Sequence, residues 1–238
     1  MKEIVRVKCI KHRYEDKTEV EVCGLSFIVK RGEKVVLMGP NGSGKTTLLN
    51  HIIGFLKPVS GEIKVFGVDP SKHLKEIVRK IGVVFQNVDE QLIGPTVYDD
   101  IAFTPLNLGW KRERVEEKVN KIIKLLKIDN LKNRVPHYLS GGEKKKVAIA
   151  GAMVHEPELL VLDEPFTELD IDSKNRIMSI LKELNKEKNV SIIIATNDVN
   201  IAIDFADTIY LMKGGKISFK GTPDKLKKRK IKYEVCEH

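Results

Sequence analysis

Long apolar runs are missing from this sequence of 238 residues. No stretch approaches the roughly 18 apolar residues that a membrane-spanning helix needs. The opening MKEIVRVKCI has no long apolar segment of the signal-peptide kind. With 42% hydrophobic residues the chain can still bury a sizeable core. These features predict one soluble domain with an insertion, or a protein that reaches a membrane only through a partner.

Cysteine and glutamine are scarce. Cys9, Cys23 and Cys236 are an odd number of cysteines without the spacing of metal ligands, and the six histidines are scattered. This pattern favours a reducing cytosol and predicts no structural metal site. Glutamine occurs only at positions 86 and 91, amid abundant Lys, Glu and Ile, a balance typical of hyperthermophile proteins.

Excess positive charge is confined to one end of the chain. The net charge is +9, but KLKKRKIK, from Lys225 to Lys232, holds six basic residues and no acid, which leaves +3 for the rest. One interpretation of this stretch is a solvated, partly frayed terminal helix. The alternative is contact with an acidic partner or an anionic membrane surface. Because the excess lies in this tail, we expect no nucleic-acid partner.

Four short apolar runs predict buried strands: EKVVLMG, IGVVFQ, ELLVLDE and SIIIATND. Continuous apolar strands separated by helices are typical of a mostly parallel α/β sheet, which binds ligands at the carboxyl ends of its strands. The sequence therefore predicts an α/β fold with a mostly parallel core. The stretch GEIKVFG is predicted to belong to a β-hairpin arm.

Helical spacing marks three further segments. The apolar faces consist of Leu48, Leu49, Ile52, Ile53 and Leu56; of Val115, Val119, Ile122 and Leu126; and of Ile177, Ile180, Leu181 and Leu184. No buried strand is predicted between about residues 87 and 154, so this segment is interpreted as a helical subdomain inserted in the core. Residues 1–222 are predicted to form one domain and residues 223–238 a basic tail.

The stretch GPNGSGKT fits the phosphate-loop pattern G-x-x-x-x-G-K-[ST], and it lies between a predicted strand and a predicted helix. Glycines let the backbone curl so that several N–H groups face one anion, and the helix N-terminus adds partial positive charge. Lys45 can reach the β and γ phosphates, and the Thr46 hydroxyl can ligate Mg²⁺. The predicted nucleotide-binding residues here are Gly39, Pro40, Asn41, Gly42, Ser43, Gly44, Lys45, Thr46 and Thr47.

Two adjacent acids end the run LLVLDEP. Burying unpaired carboxylates is expensive, so Asp163 and Glu164 are poor core residues. Asp163 can hold the magnesium shell, and Glu164 can polarise a water for attack on the γ phosphate. The structural alternative is that they cap the next helix.

A second glycine-rich helix start precedes these acids. Ser140, Gly141 and Gly142 come before a helix predicted to begin near Glu143, so exposed N–H groups again point at a potential anion. On its own an SGG sequence is also a common helix start.

The order of phosphate loop, Gln86, LSGGE, LLVLDEP, ELD and ATND resembles that of ATP-binding-cassette ATPases over nearly the whole chain. The resemblance implies that two cassettes meet head to tail, with each ATP between the phosphate loop of one and Ser140–Glu143 of the other. It implies that Tyr14 stacks on adenine, although a plain strand tyrosine is the alternative. It also implies that Gln86 senses the γ phosphate and its Mg²⁺ and links to a transmembrane partner, and that Asp170 acts across the dimer.

A narrower resemblance follows Gln86. Residues 85–109, FQNVDEQLIGPTVYDDIAFTPLNLG, are similar to a stretch in cobalt, nickel and vitamin importers of the energy-coupling-factor type. The resemblance implies that this segment docks the coupling helices of a membrane protein, at the cytoplasmic face of the membrane. From the residues alone it is an acid- and aromatic-bearing segment at a subdomain junction, and an ordinary loop is the alternative.

Asn197 departs from the family pattern, which usually has histidine at the tip of this strand. Asparagine can donate a hydrogen bond to a γ phosphate, but it is shorter and cannot carry a full charge. We therefore hypothesise slow hydrolysis, with an adequately working asparagine as the alternative. Phe166, Glu168 and Glu143 are further departures, and together they raise the question of a non-identical partner cassette.

Two other classes of function are alternatives to a transport ATPase. A cassette ATPase acting on DNA or ribosomes would be expected to carry a long coiled-coil insertion or a second cassette, and this sequence has neither. A non-hydrolysing ATP-binding regulatory subunit would have no need of Glu164. The sequence favours a transport-coupled ATP hydrolase.

Overall fold

The structure, a computed structural model, describes residues 2–16 and 18–228. Its strands are β1 Glu3–Arg13, β2 Glu19–Gly24, β3 Phe27–Lys30, β4 Lys34–Met38, β5 Ser60–Val65, β6 Ile81–Val84, β7 Leu159–Asp163, β8 Ser191–Thr196, β9 Thr208–Lys213 and β10 Lys216–Gly221. Its helices are α1 Lys45–Ile52, α2 Leu74–Ile77, α3 Val97–Asn107, α4 Arg112–Leu126, α5 Gly141–Val154, α6 Ile171–Lys188, α7 Val199–Phe205 and α8 Pro223–Lys228.

All the strands belong to one mixed sheet. Its order is β3-β1-β2-β10-β9-β4-β8-β7-β6, with β5 pairing on β1. Strands β6, β7, β8, β4 and β9 pair in parallel, whereas β2, β3 and β5 pair with β1 in antiparallel fashion. The prediction of a mostly parallel core with an antiparallel N-terminal arm is confirmed.

Alternation along the core strands explains their continuous apolar runs. Val36 and Met38 of β4 pack on the helices that cover one face of the sheet, while Val35 and Leu37 pack with α1 and the antiparallel arm on the other face. Every residue of β7 and β8 is buried. A strand covered on both faces takes apolar side chains along most of its length, because neither face meets water. The buried polar residues of β7 and β8 are Asp163, Ser191 and Thr196, all at strand ends.

The segment between β6 and β7, described throughout, holds α3, α4, α5 and short 3₁₀ turns, and no strand. Helix α4 buries the face predicted for it, at Val115, Val119, Ile122 and Leu126. Helix α5 packs against β6 and against α3 and α4. This arrangement places the N-terminus of α5 beside the loop that follows β7.

One predicted helix boundary is wrong, and another is refined by two residues. Helix α1 ends at Ile52, so Leu56 lies beyond it. The cause is Gly54, whose φ of +84° a helix cannot accommodate and where a Cβ would lie 2.6 Å from the Pro70 carbonyl oxygen. Helix α5 begins at Gly141, two residues before Glu143, because Ser140 rather than a later residue is its N-cap.

The cysteines also differ from expectation. Cys9 and Cys23 form a disulfide between β1 and β2, where the pairing of Ile10 with Val22 puts them directly opposite each other. They lie near Glu21 in the one cluster of three His, Cys, Asp or Glu side chains found among the described residues, but cysteines joined in a disulfide have no thiolate to offer a metal. The count of three cysteines could not predict this pair, because pairing depends on strand register; Cys236 lies outside the described residues.

Within residues 2–16 and 18–228, no helix has both the length and the apolar character needed to cross a bilayer. Helix α8 takes in the first residues of the basic stretch, up to Lys228. The rest of the predicted basic tail, from Arg229 onward, lies outside the described part of the chain.

Candidate functional site

The phosphate loop joins β4 to α1 at the carboxyl edge of the parallel sheet. Gly44 caps α1 with a φ of +99°, and helix α1, described in full, has neither a side-chain cap nor an acid in its first turn. At Gly39 a Cβ would lie 2.2 Å from the Met212 carbonyl oxygen. The loop thus leaves backbone N–H groups and the positive end of the helix dipole directed at one point, which suits an anion.

Lys45 and Thr46 begin α1 and extend toward the strand ends. Lys45 is buried, and its Nζ donates to the carbonyl oxygens of Gly39 at 2.7 Å and Pro40 at 3.2 Å. The Thr46 hydroxyl donates to Oδ2 of Asp163 at 2.6 Å. The phosphate loop and the end of β7 therefore meet at this pair.

Asp163 has features of a cation ligand. Its Oδ1 atom is buried and finds no hydrogen-bond partner among the described residues. Burial raises the pKa of its carboxyl, while the Thr46 hydroxyl and the charges of Lys45 and Lys145 oppose that shift. A buried carboxylate oxygen without a donor is costly unless a cation meets it, so the residues fit a hard divalent ion.

The tip of β8 holds the carboxylate of Glu164. The Thr196 hydroxyl donates to one oxygen at 2.9 Å, and the Asn197 backbone N–H donates to the other at 3.1 Å. Glu164 has a φ of +46°, which a side-chain-bearing residue rarely adopts. Burial raises the pKa of Glu164, an effect the Thr196 hydrogen bond opposes. The polar residues ending β8 thus orient an acid from the neighbouring strand.

A cavity of about 600 Å³ opens between these elements. It is lined by Thr46, Asn50, Phe85, Gln86, Asn87, Glu90, Glu164, Thr167 and Glu168. Gln86 follows β6 and Glu164 follows β7, so two neighbouring strand ends and the start of α1 contribute to one space. None of its lining residues, all of them within the described chain, comes from Ser140–Glu143.

Ser140 caps α5 with a reciprocal pair of hydrogen bonds. The Glu143 N–H donates to the Ser140 hydroxyl, and the Ser140 N–H donates to Glu143 Oε2 at 2.8 Å. The carboxylate of Glu168 also lies here, because its Oε2 atom is the nearest atom to a Cβ added at Gly141. The N-terminus of α5 therefore already has two acids of its own chain beside it.

Tyr14 and Asp170 lie at the edges of the site. The Tyr14 hydroxyl is 2.7 Å from Oγ1 of Thr47, and its ring meets the edge of His12 at 4.4 Å between centroids. Asp170 caps α6 by accepting from the N–H and the hydroxyl of Ser173. Neither residue lines the cavity.

Sequence reasoning missed two residues of this site. Thr196 belongs to the ATND motif, which does not by itself predict the hydrogen bond from its hydroxyl to Glu164. Lys145 is 2% exposed, and its Nζ donates to the Gln86 carbonyl oxygen at 3.1 Å. It lies in the run Lys144–Lys146, whose charge predicts solvent exposure, so no local signal separates it from its neighbours.

Comparisons with known proteins agree with the fold. The family model described as ABC transporter matches residues 22–167. The energy-coupling factor transporter ATP-binding protein EcfA of Methanocaldococcus jannaschii is 46% identical over 223 residues, which cover 92% of this chain and 79% of that protein. The structure of CbiO1 from Clostridium perfringens, part of the ABC transporter complex CbiONQ, aligns with a TM-score of 0.82 at 37% identity, covering 97% of this chain and 92% of that one.

A third relative was solved as a dimer. The ATP-binding cassette MJ0796, in a post-hydrolysis state with ADP and Pi, aligns with a TM-score of 0.82 at 29% identity, covering 92% of this chain and 98% of that one. The chain belongs to the ABC transporter family, as an ATP-binding subunit whose ATP hydrolysis is coupled to transport. Within that family it is close to the importer ATPases EcfA and CbiO, which confirms the resemblance drawn from the motifs.

Proposed function

We propose that this chain powers a membrane importer of the cobalt, nickel or vitamin energy-coupling-factor type, from the cytoplasmic face of the membrane. The observation that carries the proposal is the convergence of Thr46, Asp163 and Glu164: the first two are 2.6 Å apart and the third lines the same cavity as Thr46. The strong likeness to EcfA proteins supports the choice of subgroup.

Thr46, Asp163 and Gln86 are the residues that would hold Mg²⁺. The ion would screen the phosphate charges that the bound nucleotide brings. Asp163 would contribute an oxygen that no donor among the described residues meets, and Thr46 would contribute a hydroxyl already directed at that carboxylate. Gln86 lies in the exposed wall of the same cavity.

Glu164 is the residue we assign to water activation. Thr196 and the Asn197 N–H each use one hydrogen bond to fix its carboxylate. Its raised pKa is that of a stronger base, which favours accepting a proton from water. Asn197 thus positions Glu164 through its backbone, whereas its side chain supplies an amide where the family usually has a histidine. We expect slower turnover from this replacement.

A second cassette would complete the ATP site. In one chain the Ser140–Glu143 helix start does not line the cavity beside the phosphate loop, so a partner chain is needed to bring such a helix to it. Tyr138 and Ile171, next to Ser140 and Asp170, are 80% and 77% exposed. Large apolar side chains left in water beside both motifs fit a face that pairs with another cassette.

The segment 85–109 is the surface we assign to the transmembrane partner. A cavity of about 230 Å³ there is lined mainly by apolar side chains, including Phe55, Val78, Phe85, Ile93 and Phe103. Ile93 and Phe103 are largely exposed. Asp100 holds the shape of the loop by accepting from the N–H groups of Ile93 and Gly94 at 2.8 Å each. This groove suits a short amphipathic helix.

The test is steady-state ATP hydrolysis by the purified chain beside Asn197→His, with Glu164→Gln as background. We expect wild type above Glu164→Gln, and the histidine variant about tenfold faster than wild type, within the range of positioned acid–base groups. Wild type well above background with no gain from histidine would contradict the slow-site hypothesis. Wild type at background, restored by histidine, would indicate one half of an asymmetric pair. ATP binding without turnover in either chain would indicate a regulatory subunit.

A further inference from the structure

Lys145 is a buried cation that the proposed mechanism does not yet use. It lies in the second turn of α5 and is 2% exposed. Burying an ammonium group is expensive unless other groups compensate it. Burial lowers the pKa of Lys145, and the charges of Glu168, Asp163 and Glu164 oppose this shift. The negative charges that act on Lys145 are thus that of Glu168 first, and then those of Asp163 and Glu164.

The hydrogen bond that Lys145 makes is directed at the loop that bears Gln86. Its Nζ donates to the Gln86 carbonyl oxygen at 3.1 Å. The adjacent Lys144 contacts Oδ1 of Asp89 at 2.6 Å. Two consecutive lysines of α5 thus hold residues 86–89, one from inside the protein and one from its surface.

The same loop is closed at its base by Gln91. Its side chain accepts from the Phe85 N–H at 3.0 Å and donates to the Val83 carbonyl oxygen at 2.9 Å. The loop is therefore tied to its own strand at both ends, and its middle is tied to α5. The position of Gln86 in the cavity depends on where α5 lies.

We propose that Lys145 is a positioning residue for hydrolysis: it fixes the Gln86 backbone to α5, so that Gln86 faces the cavity together with Thr46 and Glu164. The inference rests on the proposed function, because it assigns Gln86 a place in the hydrolytic site. It also gives α5 two roles. The start of the helix serves the ATP site of a partner cassette, and Lys145, one turn later, positions Gln86 in the ATP site of its own chain.

The test replaces Lys145 by Met, which keeps the length and apolar stem but removes the donor and the charge. We expect kcat to fall about tenfold to a hundredfold, as for a misplaced catalytic group. KM for ATP should stay within about twofold, since the phosphate loop is untouched. Amide hydrogen exchange across residues 86–91 should become faster. Lys145→Gln, which restores a neutral donor, should partly restore kcat and partly slow the exchange at residues 86–91.

Lys118→Met is the matched control. Lys118 is a partly buried lysine of α4 that donates to Glu156 at 2.9 Å, away from the cavity. Its loss should lower the melting temperature without changing kcat or exchange at 86–91. A Lys145→Met protein that behaves like this control, or whose exchange rises everywhere, would overturn the proposal.

Failure of the proposed function gives a different pattern. A wild-type chain without turnover above Glu164→Gln would remove the hydrolytic role, yet exchange at 86–91 would still report on the Lys145 contact. Normal exchange there in Lys145→Met would reject the contact itself, whether or not the wild type hydrolyses ATP.

Discussion

The molecule has two glycine-rich helix starts with opposite local chemistry. Helix α1 begins without a side-chain cap and without an acid in its first turn, and its first residue is Lys45. Helix α5 begins with a full capping box and has Glu143 in its first turn. Each helix start presents N–H groups, but at α5 the Glu143 carboxylate already accepts a hydrogen bond from the N–H of the cap residue Ser140.

Because of this difference, one chain can form an anion site at α1 alone, whereas the anion site at α5 needs groups from a second chain. At α1 the positive end of the helix dipole and a lysine act together on the same anion. At α5 a phosphate must compete with the charges of Glu143 and Glu168. We infer that α1 provides most of the affinity for nucleotide, and that α5 adds a weaker contact that closes a pair of cassettes.

The largest effect is expected at α1. Lys45→Met should weaken ATP binding about a hundredfold or more, because it removes the buried charge at the anion site. Equilibrium binding of a fluorescent ATP analogue measures this loss. Lys145→Met, which also removes a buried lysine, should bind ATP as wild type does. If both variants lost the same ATP affinity, the two helix starts would not differ in how they bind an anion.

A smaller effect is expected at α5. Glu143→Gln with Glu168→Ala should strengthen ATP-dependent dimerisation about threefold to thirtyfold, since each acid near a helix N-terminus alters anion binding by about 0.3–1 kcal/mol. Sedimentation with ATP in a Glu164→Gln background, which prevents turnover, measures the dimer. Weaker dimerisation of the double variant would mean that these acids contact the partner chain favourably.

The smallest effect concerns stability against pH. Hydrogen bonds from the Ser140 N–H and hydroxyl lower the pKa of Glu143 below its usual 4.5. The stability from this cap is therefore present above the unfolded pKa and is lost as the pH falls through the lower, folded pKa. Thermal unfolding between about pH 3 and pH 6 should show Glu143→Gln less sensitive to acid by about 0.5–1 kcal/mol, the size of a cap. When Ser140→Ala is already present, adding Glu143→Gln should change the acid sensitivity by less.

Much of the fold could be predicted because the relevant signals are local. Buried parallel strands need apolar side chains throughout, and the phosphate loop has a fixed spacing between a strand and a helix. The same reasoning predicted a ligand site at the carboxyl ends of the parallel strands, which is where the cavity lies. It did not predict that the Asn197 backbone bonds Glu164, because that depends on the register that pairs Asp163 with Ala195.

What could not be predicted depends on tertiary contacts. Lys145 is chemically identical to the lysines on either side of it, and only the packing of α5 against the loop after β6 buries it. The Cys9–Cys23 pair required the β1–β2 register, and the early end of α1 required the approach of Pro70 to Gly54. The assignment of roles to Tyr14, Gln86 and Asn197 stays a prediction.

One residue, Gly215, connects the antiparallel arm to the phosphate loop. Its carbonyl oxygen accepts from the Cys23 N–H, and its own N–H donates to the Ser43 carbonyl oxygen, at 3.0 Å each. A Cβ there would lie 2.1 Å from the Glu21 carbonyl oxygen. Two hydrogen bonds thus connect the arm to the phosphate loop. A dye, a crosslinker or a fusion attached to β1 or β2 is therefore expected to perturb the nucleotide site.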